Sequence, residues 1–353
     1  MEDKKSKKKL ILSGIFFVLI VGLTFRVLFS GDTFAKLMEI IPKVDKRFLF
    51  IGALSMSLFV ICEGLNIRRL LKLLKCKCGF WKGIKYSSIG FFFSSITPSA
   101  SGGQPMQLYF MSKDNVNVSV GTLALIVELA SYQVVTLTMA IIGFIYQYKF
   151  IESISVNLKL LLGLGVFLNF MVFVAIMIAM FSKSFAGKAV DFILNLLGKF
   201  NIKKIHKWKE SAHEQIKMYH GGVTIIKNNP KTVIMTILTT LVGITGLHSV
   251  TYFVYRSFGL SQYGFFTVLA LQAVLYIAVS AIPLPGAVGV SEGGFMMLFK
   301  TLFTTGIISS AVLLSRGLSF YLYVIITGLF ILIYQGIMKA KEGKKHEPCN
   351  TSR

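Results

Sequence analysis

Acidic side chains are scarce in this sequence: 15 Asp and Glu stand against 38 Lys and Arg in 353 residues, and charged residues make up only 15% of the chain. With 54% hydrophobic residues and a mean hydropathy of +0.69, there is too little charge to coat a soluble domain of this size. The chain reads as an integral membrane protein. Its basic excess does not point to nucleic acid, because the lysines sit in blocks beside apolar runs rather than among base-stacking aromatics. Cysteine is equally sparse. Cys62 lies in an apolar run, Cys349 in the tail, and Cys76 and Cys78 form a lone C-x-C in a lysine-rich loop, which is neither a zinc set nor a disulfide framework. No H-E-x-x-H and no Walker loop occur, so no catalytic set, metal or cofactor is expected. His206, His213 and His220 recur every seven residues; two helical turns, about 10 Å, is too far for one metal ion, and they read as interfacial side chains.

What is present is apolar sequence in long blocks. Spanning-length runs lie at roughly 10–29, 48–67, 118–147, 158–181, 232–255 and 307–337, with two interrupted hydrophobic regions at roughly 84–112 and 264–304. The first run follows "MEDKKSKKKL" like a signal peptide, yet no small-x-small cleavage site comes after it, so it is expected to remain as a helix. The fold class expected is all-α, a polytopic membrane protein of about six full transmembrane helices plus two re-entrant broken-helix regions. Residues 1–353 form one membrane domain: repeat one at about 48–147 with a break at 97–105, a basic connector at 182–231, repeat two at about 232–337 with a break at 283–292, and a basic tail at 338–353. If each broken region returns to the side it entered from, the proposed cytoplasmic segments hold 28 Lys and Arg and the opposite side only eight. Both termini are then expected to be cytoplasmic. Full crossings at the breaks would put one of the two largest basic blocks outside, against the charge rule. The connector has apolar residues at helical spacing (Phe192, Ile193, Leu196, Leu197, Phe200); it reads either as helices lying on an anionic leaflet or as a solvated spacer.

The first interruption reads "SSITPSASGGQP" and the second "AIPLPGAVGVSEGG". Such segments cannot continue a helix, and hydrocarbon offers the freed backbone groups no partners. Both contain P-x-A-x-G: Pro98, Ala100 and Gly102 in one, Pro285, Ala287 and Gly289 in the other. Two such units entering from opposite sides make an inverted repeat with discontinuous helices, an arrangement that builds midplane binding sites. The hydroxyls of Ser99 and Ser101, the Gln104 amide and the Gly102–Gly103 backbone are expected to satisfy the groups left open, while half-helix N-termini face an anion. The plainer alternative is a pair of kinked, buried helices without a ligand. Glu128 lies 30 residues after Pro98 and Arg316 lies 31 after Pro285, so the two charges either pair or bind opposite ends of a zwitterionic ligand. Glu292, inside the second break, is a third candidate. Arg26 and Glu63 lie near span ends and are weighed lightly.

At these motifs, "TPSASGGQPMQLYFM" with the following "KDNV" and "PLPGAVGVSEGGF", the chain resembles the lysylphosphatidylglycerol synthase transmembrane family, the flippase-like membrane half of the multiple peptide resistance factor. The resemblance covers nearly the whole chain. It implies that Thr97, Pro98, Gly102, Gly103, Gln104, Pro105, Pro285, Gly286, Gly289 and Glu292 stand at motif positions. It also implies translocation of an anionic or zwitterionic phospholipid, aminoacylated or not, with membrane phospholipids as partners and room for a separate synthase subunit or an oligomer. Where many family members carry an acidic and then a basic residue after the Gly-Gly pair, this sequence has Gln104 and Gln107. The sequence stops sixteen residues after the last apolar run, and the synthase domain is expected to be absent. A phosphatidylglycerol lysyltransferase activity and a lipid-sensing scaffold are the alternatives.

Overall fold

A computed structural model of the chain describes residues 38–97, 100–152, 156–182, 218–280, 282, 287, 289–304 and 306–345. The apolar run 10–29, the connector from 183 to 217 with His206 and His213, and the end of the tail lie outside the described residues. The described elements are α1 (Lys46–Leu73), α2 (Phe80–Ile96), α3 (Gly103–Lys113), α4 (Val118–Tyr146), α5 (Tyr148–Glu152), α6 (Val156–Phe181), α7 (Pro230–Ser257), α8 (Phe265–Ser280), α9 (Val290–Phe299), α10 (Ile308–Arg316) and α11 (Leu322–Lys345), with no strand among the described residues. In hydrocarbon every backbone N–H and C=O must find a partner within the protein, and an apolar run of about 20 residues meets that need as a helix, which bonds within its own segment. Five helical stretches are long and apolar enough to cross a membrane: Lys46–Leu73, Val118–Tyr146, Lys159–Met180, Pro230–Ser257 and Ile308–Ile337. They coincide with five of the six full spans expected from the sequence.

Local sequence sets where these helices start. The Asp45 carboxylate accepts from the Arg47 N–H at 2.9 Å ahead of α1, and the Asn117 side chain does the same for Ser119 at 2.9 Å ahead of α4. Pro230 opens α7, where a missing N–H costs nothing. On α1, Ile51, Leu54, Leu58 and Ile61 are exposed at helical spacing, while Met56, Phe59, Val60 and Ile67 are buried on the other face; the exposed stripe is apolar, as a lipid-facing surface must be, and the buried face packs on neighbouring helices, α7 among them.

Small residues bring α1 and α7 together. A Cβ on Gly246 would stand 2.5 Å from the Ser55 carbonyl oxygen, and one on Gly243 would stand 3.0 Å from Cys62 Cβ, so the backbones approach as only glycine allows. Polar side chains add to the seam. Asn66 Nδ2 donates to Thr240 Oγ1 at 2.8 Å, and Arg69 donates to Thr239 Oγ1 at 2.9 Å and to the Met235 carbonyl at 3.1 Å.

The chain order long, short, short, long occurs twice. In the first unit the helices have 28, 17, 11 and 29 residues; in the second, 28, 16 and 10, followed by a 30-residue span that runs through α10 and α11. Within each unit the two short helices fold back on one another. Gly103 of α3 lies against Gly90 and Ser94 of α2, Gln107 Nε2 donates to the Tyr86 carbonyl at 3.0 Å, and Lys85 at the start of α2 pairs with Asp114 just past the end of α3. The hairpin therefore returns to the side it came from. In the second unit Tyr263, before α8, and Phe303, after α9, both reach Tyr255, with ring centroids 6.4 and 5.5 Å away.

Candidate ligand cavity between the two broken helices

The first break is held by one hydroxyl. Thr97 leaves the α2 helix in an extended conformation; its Oγ1 donates to the Phe93 carbonyl at 2.6 Å and accepts from the Gly102 N–H at 2.8 Å. Ala100 then sits at φ 53°, in the left-handed region. Ser94 Oγ donates to the Ala100 carbonyl at 3.3 Å. These bonds correct the expectation that Ser101 and Gln104 would satisfy the open backbone groups. The Ser101 side chain is exposed, and Gln104 turns to a cavity instead. Pro98 and Ser99 lie outside the described residues. Gly102 and Gly103 are required by space: a Cβ would stand 2.6 Å from Thr97 Cγ2 at the first and 2.1 Å from Ser94 Oγ at the second.

The second break repeats the backbone feature with different chemistry. Ala287 has φ 49°, so the alanine of each P-x-A-x-G is left-handed, a conformation that costs on the order of 1 kcal/mol for a residue with a Cβ. Gly289 has φ 86° and open space around it. Glycine is needed there for its backbone, not for a close approach. The Glu292 carboxylate accepts from the Gly289 N–H and from Ser291 Oγ at 3.0 Å, and its other oxygen accepts from Arg316 Nε at 2.9 Å. Pro285 and Gly286 lie outside the described residues. Residues Gly289 to Gly293 spell G-x-S-x-G, but they follow a break between helices rather than a strand, and Ser291 bonds Glu292 rather than a histidine; the segment is a helix start, not a nucleophile elbow.

Both breaks open on one cavity of about 350 Å³, reached by Ala100 and Gln104 from the first and by Ile282 and Ala287 from the second. Its apolar lining includes Phe59, Phe91, Leu247 and Phe295. The polar lining comes from nearly every helix around it: Glu63 on α1, Gln107 on α3, Glu128 on α4, His248 on α7, Gln272 and Tyr276 on α8, and Arg316 at the end of α10. Directly after Arg316 the last span widens into a π-helical turn, Gly317–Tyr321, the kind of helix defect that often re-aims a side chain at a site. The guanidinium lies 4.4 Å from the centroid of Phe320.

Glu128 and Arg316 thus share a cavity, as their matching offsets suggested, but they do not pair with each other. The carboxylate on Arg316 is Glu292. Glu128 is 8% exposed and makes no hydrogen bond or ion pair among the described residues. Thr97, Gly102, Gly103, Gly289 and Glu292 shape the breaks without lining the cavity. Sequence reasoning discounted Glu63 and passed over His248. Glu63 lies on the inward face of α1, four residues after Phe59, and accepts from Ser87 Oγ at 3.3 Å. His248 is 1% exposed, its ring is 5.3 Å from that of Tyr276, and neither ring nitrogen has a partner among the described residues. The signal was available: each is a polar residue at an inward position of an otherwise apolar helix.

Thr97→Val should lower the unfolding free energy by about 1–2 kcal/mol, because the Gly102 N–H loses its acceptor in a half-buried place. Thr97→Ser should keep most of it. Thermal unfolding in detergent decides; an unchanged midpoint for the valine variant would remove Thr97 from the break.

The lysylphosphatidylglycerol synthase TM region matches residues 10–327 of this chain. A UPF0104 membrane protein of Archaeoglobus fulgidus is 22% identical over 292 residues, which is 80% of this chain and 85% of that protein. A match over most of the length, in an all-helical chain with five candidate spans, makes this a multi-pass membrane protein that belongs to the family of the lysylphosphatidylglycerol synthase TM region.

Proposed function

We propose that the chain translocates a phospholipid with an anionic or zwitterionic headgroup, aminoacylated or not, by passing the headgroup through the cavity between the two breaks. The observation that carries this reading is the convergence of both broken helices on one cavity with charged residues inside a membrane bundle. At about 350 Å³ the cavity suits a headgroup, and the acyl chains would stay in lipid. The half-helices α3 and α9 begin beside it, with Gln104 and Ser291 of their first turns in its wall. Their N–H dipoles and Arg316 favour an anionic group such as a phosphate. In this reading the two units are an inverted repeat, both termini are cytoplasmic and the membrane is the plasma membrane.

Purified protein in liposomes carrying a leaflet-labelled lipid tests the proposal. Faster equilibration between leaflets, lost in Arg316→Ala, supports it. Lysyl-lipid formation from lysyl-tRNA and phosphatidylglycerol by the chain alone would replace it with the transferase reading; neither activity would leave a scaffold. Orientation has its own test. Cys76, in the loop after α1, should react with an impermeant maleimide only from the cytoplasmic side. Burial pushes its thiol above the ordinary range, so less thiolate is present at neutral pH and labelling should quicken as pH rises. Labelling from outside intact cells would reverse the topology.

A further inference from the structure

The geometry points to Glu63 and Glu128 as a site for one small inorganic cation, sodium or a proton, built into the wall that α1 and α4 give the cavity. The two carboxyl groups line the same space and lie near enough to interact electrostatically. Among the described residues neither has a cation beside it: Glu63 has only the Ser87 hydroxyl, and Glu128 has no partner. The nearby basic groups among the described residues are committed elsewhere. Arg316 is held by Glu292, Arg69 is bound to Thr239 and the Met235 carbonyl, and Lys85 is bound to Asp114.

The groups facing the pair come from every described helix around it. Cys62 is beside Glu63 on α1. Tyr132 on α4 and Tyr276 on α8 bond to each other through their hydroxyls. Gln104 and Gln107 on α3, His248 on α7, and the Glu292–Arg316 pair of α9 and α10 complete the set. Lys159, the charged residue of α6, is exposed, and Tyr323 of α11 donates to the Ala53 carbonyl. None of these supplies a free positive charge. His248 adds an independent sign of an occupant, since both ring nitrogens are buried in the cavity wall without a partner among the described residues.

Two uncompensated carboxylates inside a bundle in hydrocarbon are too costly to persist. A headgroup ammonium could neutralise them only while lipid is bound, yet the cavity must also exist empty. An inorganic cation can be present at that stage. No group of three or more His, Cys, Asp or Glu side chains among the described residues is arranged to hold a metal ion, which favours a single charge over a divalent metal. Coupling of this cation to lipid movement rests on the translocation reading above; the site itself does not.

The full chain in nanodiscs tests it by thermal unfolding, with sodium exchanged for N-methylglucamine at constant ionic strength and with pH varied from mildly acidic to mildly alkaline. Wild type should melt about 3 °C or more higher when the cation is supplied. If the cation is a proton, that gain is present in acid and lost as pH rises. The Glu63→Gln/Glu128→Gln double variant should lose the response, and Glu39→Gln, on the surface, should keep it. A sodium response assigns sodium, and an acid response alone assigns a proton. A response to ethylammonium alone, an equal response in the double variant, or none in wild type overturns the site. Should the double variant not fold, radiosodium binding and proton uptake by wild type decide, and the absence of both overturns it. Cation binding without lipid movement would sink the translocation reading and spare the site; lipid movement without cation binding would do the reverse.

Discussion

Arg316→Ala is expected to lower the unfolding free energy by about 3 kcal/mol, with loss of lipid movement, because it strands the Glu292 carboxylate in a place where little water reaches. The two side chains are each 19% exposed and meet at 2.9 Å, so the pair is mostly desolvated. Glu292→Gln should cost less than removing the arginine, since an amide oxygen can still accept from the Gly289 N–H. A double-mutant cycle on the midpoint should show strong coupling between positions 292 and 316. The exchange Glu292→Arg with Arg316→Glu should recover only part of the stability: an arginine at 292 cannot accept from Gly289, so the start of α9 stays open. The exchange Glu128→Arg with Arg316→Glu should recover nothing, since those residues are not partners. Additive single effects at 292 and 316 would show that the observed contact carries no stability.

Gly103→Leu is expected to cost about 3 kcal/mol or more and to end lipid movement, because a side chain there must push the first re-entrant hairpin apart. Its Cβ alone would fall 2.1 Å from Ser94 Oγ and 2.9 Å from the Gly90 carbonyl oxygen. The serine can rotate, but the carbonyl belongs to α2 and cannot. Ser94→Ala should therefore rescue Gly103→Ala only in part. Gly289→Leu makes the contrasting case. Nothing lies within 4 Å of a Cβ there, but φ is 86°, so the cost is one of backbone conformation, on the order of 1–3 kcal/mol. Gly289→Asn should be milder than Gly289→Leu, since asparagine tolerates the left-handed region. Gly103→Asn should be no milder than Gly103→Leu. Equal tolerance of asparagine at both positions would show that the two glycines serve one purpose.

The elements and their interruptions were legible in the sequence because their causes are local. A run of apolar residues in hydrocarbon must close its own hydrogen bonds, so five of the full spans could be read from length and hydropathy alone. Proline and glycine clusters ended helices near Ile96 and Ser280 for equally local reasons, and the repeated P-x-A-x-G marked two breaks whose alanines share a left-handed backbone. Partner choice was not legible. Glu128 and Arg316 looked like a pair by chain offset, yet Arg316 turns to Glu292 because the π-helical turn and the packing of α9 on α10 set its direction. Ser99, Ser101, Gln104 and the Gly102–Gly103 backbone together looked able to mend the first break, yet among the described residues Thr97 bonds the Gly102 N–H, because its hydroxyl lies between the last turn of α2 and the first N–H of the return. Glu63 looked interfacial when counted from a span end, and only the crossing of α1 with α4 and α7 puts it and His248 on one cavity. Periodicity tells which side of a helix is inward; the rotation and crossing of helices far apart in sequence decide which inward side chains meet.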